Sequence, residues 1–206
     1  MAETDTPVKI PPRQRILESL AGELERQPGN RVTTAALAKA TGVTEAALYR
    51  HFASKARMFE GLIDFAEETV FGRINRILEE DTATNARCEK ILFLLLGFAA
   101  RNPGITRVLM GDALVGETER LRERVQQFFN RLETQLRQVL RESVLREPAL
   151  LSIPAEQAAN LLLAYVEGRL HRFLRSRFRD SPINHWEAQW AFLAACLFGP
   201  GAGAVL

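Results

Sequence analysis

Hydrophobic positions recur at helical spacing along most of the chain. The first such stretch starts at Arg13, carries Ile16, Leu17, Leu20 and Leu24, and is stopped by Pro28-Gly29-Asn30. A short helix is predicted from Thr34 to Thr41, with Thr33 as N-cap and Gly42 as breaker. A second runs from Glu45 to His51, with Thr44 in the N-cap position. Ser54 can cap a longer helix reaching Glu80, whose apolar face includes Met58, Phe59, Leu62, Ile63, Phe65, Ala66, Val70, Ile74, Ile77 and Leu78. Further helices are predicted at 83–101, 104–113, 117–147, 155–178 and 185–198, separated by Pro103, Gly116, Pro148, Pro154 and Pro182. The 117–147 segment alone would be about 45 Å long at 1.5 Å per residue. No alternating strand pattern and no long repeat appear. The pattern therefore predicts an all-α chain of about nine helices. Residues 1–12, with Pro7, Pro11 and Pro12 and no periodicity, read as a disordered arm, and 199–206 as a flexible glycine-rich tail. Between them lie a small three-helix unit, 13–53, and a larger helical body, 54–198.

Composition narrows the function classes. The 206 residues are 47% hydrophobic and 25% charged, as in a soluble globular protein. Cys88 and Cys196 are far apart and have no metal-ligand spacing to histidine, so neither a disulfide scaffold nor a zinc cluster is expected. No metal or other cofactor is expected. Met1 to Pro12 is polar and lacks the apolar stretch of a signal peptide. The longest apolar run, Ile91 to Ala100, is half of what a membrane span needs and ends at Arg101. The expectation is a cytoplasmic protein with no membrane partner.

Net charge is only +2, but it is unevenly placed. Between Lys9 and Arg57 stand nine basic and four acidic residues, a surplus of five on a remainder that is mildly acidic. A basic amino-terminal unit is the footprint of a protein that grips phosphate backbones with one end. The string Thr33 to Phe52, TTAALAKATGVTEAALYRHF, has the form of a helix-turn-helix, two short helices joined at Gly42-Val43-Thr44. Leu37, Ala38, Val43, Ala47, Leu48 and Phe52 fall where its small core belongs. Thr44, Glu45, Ala46, Tyr49 and Arg50 are left pointing outward, and side chains so placed can lie in a major groove. Thr44, Glu45, Ala46 and Arg50 are the candidates for reading base edges. Thr33, Tyr49, His51 and Lys55 are the candidates for phosphate contact.

Gly42-Val43-Thr44, Leu48-Tyr49-Arg50-His51-Phe52, Ser54-Lys55 and the helix to Leu62 resemble the signature of TetR-type transcriptional regulators. The resemblance implies a three-helix DNA-binding domain on a helical body that dimerises, and it implies backbone contacts for Tyr49, His51 and Lys55. Within that family, Thr44 to Phe52, Leu94 to Phe98, Arg101-Asn102-Pro103-Gly104 and Gln135 to Glu142 resemble the nucleoid occlusion factors. These bind palindromic double-stranded DNA as dimers, or as dimers of dimers, and antagonise the tubulin-like division protein FtsZ. The resemblance implies that Phe65, Arg73, Leu94, Gly97, Arg101 and Asn102 bind the carboxy-terminal tail of FtsZ and that the protein is nucleoid-associated. Read from residues alone, Phe65, Ile91, Leu94 and Leu95 offer apolar surface with Arg73 and Arg101 at its ends, which suits an acidic peptide with hydrophobic anchors. Ordinary core packing is the competing reading of the same positions.

For the body, two further readings stand. Asn160, Tyr165, Glu167 and His171 could line a small-molecule pocket, as in a ligand-responsive repressor, or could merely face a partner or solvent. Leu161, Leu162, Tyr165, Leu170, Phe173 and Leu174, with Trp186, Trp190, Leu193 and Leu197, present more apolar surface than one helix pair can bury. Leu162, Tyr165, Phe173, Trp186 and Trp190 are therefore expected at a four-helix homodimer interface, with Cys196 as a small apolar residue in it. No catalytic residue is assigned. His51, His171 and His185 lack a local nucleophile or carboxylate partner, and there is no phosphate-binding glycine loop or Gly-x-Ser-x-Gly elbow.

Overall fold

The computed structural model describes residues 11–146 and 151–198, the Arg146 side chain excepted. The expected disordered arm (up to residue 10) and the flexible tail, 199–206, lie outside the described residues. Nine α-helices occur among the described residues: α1 Pro12–Arg26, α2 Thr34–Thr41, α3 Glu45–His51, α4 Lys55–Glu80, α5 Thr84–Arg101, α6 Pro103–Leu109, α7 Glu119–Arg146, α8 Ala155–Arg175 and α9 Trp186–Leu197. The one extended pairing among these residues is an isolated antiparallel bridge between Leu151 and Phe198.

The helix starts follow from their caps. Pro12 opens α1 because its missing N–H would be unpaired there in any case, so the helix begins within the stretch expected to be an arm. The hydroxyls of Thr33, Thr44 and Ser54 accept from the amides of Ala36, Ala47 and Arg57. Each satisfies one of the orphan donors of a first turn. Gly42 closes α2 at φ 71°, a left-handed conformation that glycine adopts without strain, and this makes the tight turn into α3.

Two helices end earlier than the periodicity suggests. The expected 104–113 helix stops at Leu109: Gly111 turns left-handed at φ 77° and a 3-10 turn, Asp112–Leu114, follows. The expected 155–178 helix stops at Arg175. Arg177 and Phe178 are left-handed at φ 53° and 64°, held by the Phe178 amide on Phe173 O (2.9 Å) and by the contact of the two phenyl rings. A packed ring pair supplies here what glycine normally does at a helix end.

One hydrophobic core runs from Ile16 to Phe198 and takes in every helix. Helix α4 leaves the α1–α3 head and continues into the body, where α5 folds back along it. At Asn102-Pro103 the chain bends by 116° into α6, which passes beneath α1. The α1–α6 crossing is a backbone contact. A Cβ on Gly104 would lie 2.0 Å from Ala21 O, so no other residue fits without parting the helices. Beside it Arg107, 2% exposed, donates through Nη1 to Leu24 O (2.8 Å) and Gln27 O (2.9 Å) and through Nε to Asp112. A buried guanidinium thus caps the carbonyl end of α1, where cations are favoured. Helices α7 and α8 pair lengthwise, and α8 and α9 cover α5.

Candidate nucleic-acid interface and partner face

The head places the predicted residues as follows. Leu37, Ala38, Leu48 and Phe52 are buried and Val43 and Ala47 half-buried, so α2 and α3 share the small core expected of them. Thr44, Glu45, Ala46, Tyr49, Arg50 and His51 are all exposed on α3 or its cap, with Tyr49 at 44%. Helix α3 is seven residues long, and the phenol of Tyr49, the guanidinium of Arg50 and the imidazole of His51 fan out from its exposed last turn. Thr33 is exposed at the start of α2, its hydroxyl accepting from the Ala36 amide of the first turn.

Two predicted contacts are already engaged. Glu45 Oε2 accepts from Thr34 Oγ1 at 2.8 Å, a bond that braces α3 against α2. Lys55 is half-buried, lies 5.5 Å from the Phe59 ring centroid and donates to Glu117 Oε1 at 2.7 Å. Neither engagement is visible in the sequence, because Glu117 is 62 residues away from Lys55. Arg13, by contrast, stacks its guanidinium 4.9 Å over the Phe52 ring and adds an exposed cation beside the end of α3.

The six residues of the expected peptide-binding face all lie along α4 and α5. Phe65 is 46% exposed and touches Phe98 across the helix pair, with ring centroids 6.4 Å apart. Arg73, two turns further along α4, is exposed, and Leu94, Gly97 and Arg101 form one stripe on α5. The Arg101 guanidinium folds back over Gly97, about where a Cβ at that position would touch it at 3.5 Å. That is ordinary van der Waals contact, and no second helix comes closer to that position than this arginine, so close packing does not require glycine there. Asn102 caps α5 and donates Nδ2 to Phe98 O at 2.8 Å. Ile91 and Leu95, expected to contribute surface, are core residues at 0% and 6% exposure. The apolar part of the face is thus Phe65 and half-buried Leu94. Phe65 and Asn102 also line a separate groove of about 660 Å³ between α1 and α4, with Leu17, Leu62 and Ile105 in it; Arg73, Leu94 and Arg101 do not.

The body departs further from expectation. Leu162, Phe173, Trp186 and Trp190 are buried within their own chain: Trp186 and Trp190 stack at 5.6 Å, and Phe93 packs on Trp186 from α5. Tyr165 is half-buried and donates to Gln189 Oε1 at 2.6 Å, while Arg169 bonds both. Trp186 thus joins α9 to α5, Phe173 packs on Phe178, and the buried four do not form an outer face. What α8 and α9 leave outside is Leu161 at 46% and Phe192 at 70%, together with exposed Cys196. The four polar residues considered for a ligand pocket do not converge. Asn160 bonds Glu133, Tyr165 lines one surface groove, His171 another, and Glu167 lines neither. Burial pushes the Glu167 carboxyl above its ordinary range, against the pull of His171.

With this geometry in view, comparison with known proteins is decisive. Residues 16–62 match "Bacterial regulatory proteins, tetR family", and 81–197 match "Tetracyclin repressor-like, C-terminal domain" of the SlmA-like type. Nucleoid occlusion factor SlmA of Alteromonas mediterranea is 57% identical over 179 residues, 87% of this chain and 92% of that protein. The chain belongs to the SlmA nucleoid occlusion factors of the TetR family. SlmA of Shewanella woodyi is 56% identical over 185 residues, 90% of this chain and 94% of its own length. Among solved structures, the MbdR regulator of Azoarcus sp. CIB superposes with a TM-score of 0.76 at 16% identity, over 91% of this chain and 99% of its own. The fatty acid degradation regulator FadR of Bacillus halodurans gives 0.75 at 13%, over 90% and 96%. These structures share the fold. Arg107 and Glu117, which tie the head to the body, were missed by sequence reasoning, since an arginine in a short helix and a glutamate in a loop carry no local signal.

Proposed function

We propose that the chain acts as a homodimer that sets one α3 into each half-site of a palindromic duplex and, bound there singly or as a dimer of dimers, captures the carboxy-terminal tail of FtsZ on the α4–α5 face. Successive major grooves on one side of B-DNA are about 34–36 Å apart, which sets the half-site spacing. Thr33, Tyr49, His51 and Lys55 supply backbone affinity; Thr44, Ala46 and Arg50 read base edges, and Glu45, held by Thr34, reads them only if that bond opens. Dimerisation uses the outer faces of α8 and α9, where Phe192 and Leu161 remain exposed. Captured tails are held away from filaments over the chromosome, which blocks Z-ring assembly there and makes the protein cytoplasmic and nucleoid-associated. No single described helix is long and apolar enough to cross a membrane.

The observation that carries the partner half is an exposed phenyl ring, Phe65, on the same helix pair as two exposed arginines, Arg73 of α4 and Arg101 of α5. A short acidic peptide with a hydrophobic anchor complements that arrangement. The test is fluorescence anisotropy of a labelled FtsZ tail peptide against Arg73→Glu and Arg101→Glu. Both variants should lose peptide binding and keep DNA affinity, since neither residue lies in the head. Unchanged peptide binding in both would remove this face from the mechanism.

A further inference from the structure

The connection that enters α7 presents a carboxylate and a backbone carbonyl to the head. Glu117 carries a carboxylate whose side chain is 12% exposed, with Lys55 Nζ at 2.7 Å and Arg31 Nη2 at 3.9 Å. The carbonyl of the preceding residue, Gly116, accepts from the same Arg31 at 3.1 Å. Gly116 is left-handed at φ 76°, and a Cβ there would come within 2.8 Å of the Arg31 guanidinium, so the backbone is shaped to let that cation in. Lys55 opens α4 directly after its cap Ser54, and Arg31 stands two residues before the α2 cap Thr33. Both cations therefore sit beside helix amino-termini, where a nucleic-acid phosphate would also be drawn.

A carboxylate on a body loop here engages the lysine expected to meet a phosphate. We propose that Glu117 is a specificity-determining residue for DNA binding: it sequesters Lys55 in the free protein and in loose, sequence-independent complexes, and gives it up to a phosphate only when α3 is seated in its site. The inference rests on the reading of Lys55 as a phosphate contact. Non-specific affinity is almost wholly the sum of phosphate neutralisations, so withholding one cation lowers binding to random DNA. The seated complex recovers that contact, and discrimination between the two states widens.

The magnitude follows from counterion release. Each phosphate neutralised adds about 0.9 to the slope of log K against log salt, so freeing Lys55 raises affinity for random DNA about fivefold at 0.15 M salt and about fifteenfold at 0.05 M. The experiment is a salt titration of the full chain on a random-sequence duplex of about two helical turns. It compares the parent, Glu117→Gln, Lys55→Met, the double variant and Glu123→Gln, which removes an exposed α7 charge with no lysine partner. Glu117→Gln should bind more tightly with a slope steeper by about one, and Lys55→Met in that background should abolish the gain. Glu123→Gln should change little. If Glu117→Gln binds like the parent while Lys55→Met weakens the parent, Lys55 is a free phosphate contact and Glu117 has no such role. If the gain survives in the double variant or is matched by Glu123→Gln, the effect is one of overall charge and the exchange is refuted. If none of the five proteins differs in slope, Lys55 meets no phosphate, and the parent reading of that residue fails with the proposal.

Discussion

Gly104→Ala is the sharpest probe of how the head is fastened. The added methyl would stand 2.0 Å from Ala21 O and 2.9 Å from Ala21 C, both backbone atoms that no rotamer change can move aside. Relief requires α1 and α6 to separate by more than an ångström, and overpacking of this kind costs about 1–3 kcal/mol. The separation also stretches the Arg107 bonds to Leu24 O and Gln27 O, now 2.8 and 2.9 Å, and a weakened bond to a buried charge adds about 1.5–3 kcal/mol. Alanine is favoured over glycine inside a helix by about 1 kcal/mol, but Gly104 is the second residue of α6, where that gain is smaller. The net expectation is a loss of about 3 kcal/mol, which for a chain of this size lowers Tm by roughly 6–12 °C. Differential scanning calorimetry at fixed protein concentration measures it. A Tm within 2 °C of the parent would show that the crossing yields easily and that α1 is not fixed to the body as described.

Three more outcomes follow from the same structure. Tyr49→Ala, at an exposed position, should leave Tm unchanged and weaken operator binding about tenfold or more, the worth of a hydrogen bond to a charged group, in an anisotropy titration; unchanged affinity would mean α3 is not the docking helix. Phe192→Lys should shift sedimentation from dimer to monomer and remove the concentration dependence of Tm, whereas an intact dimer would place the interface elsewhere. Cys88 is fully buried, and its thiol is pushed by desolvation from 9.0 to about 12. With the folded value above the unfolded one, its contribution to stability is intact below pH 9 and is lost as pH rises toward 12. Stability of the parent should therefore fall above pH 9 more steeply than that of Cys88→Ala, as judged by urea midpoints; parallel curves would refute it.

Much of the fold was legible because helix boundaries here are written in local chemistry. Thr33, Thr44 and Ser54 are caps that any reader of side-chain hydrogen bonding can place, and Gly42 ends α2 as its type predicts. A boundary failed where packing of two side chains at the helix end decided it, as at Phe178, whose left-handed backbone is held by the Phe173 ring. The orientation of the last two helices was illegible for a different reason. Apart from Glu187 and Gln189, helix α9 is apolar with no single apolar face, so periodicity cannot say which side meets its own chain, and Trp186 and Trp190 went inward while Phe192 stayed out. Ile91 and Leu95 share that ambiguity on α5. In the head, outward residues were identifiable from the α3 face, but the engagement of Lys55 with Glu117 depends on a loop brought in from the body and leaves no local trace.

Helix α4 is 26 residues without a break, and its first turn belongs to the head. At 1.5 Å per residue, Phe65 lies about 15 Å and Arg73 about 27 Å along the axis from Lys55. At physiological ionic strength fields decay over about 8 Å, so an acidic peptide at Arg73 sits roughly three decay lengths from the charge that Lys55 would meet. The rod thus acts as an electrostatic standoff. On the function proposed above, it would keep a negatively charged visitor attached to a DNA-bound protein yet out of reach of the DNA's own repulsion.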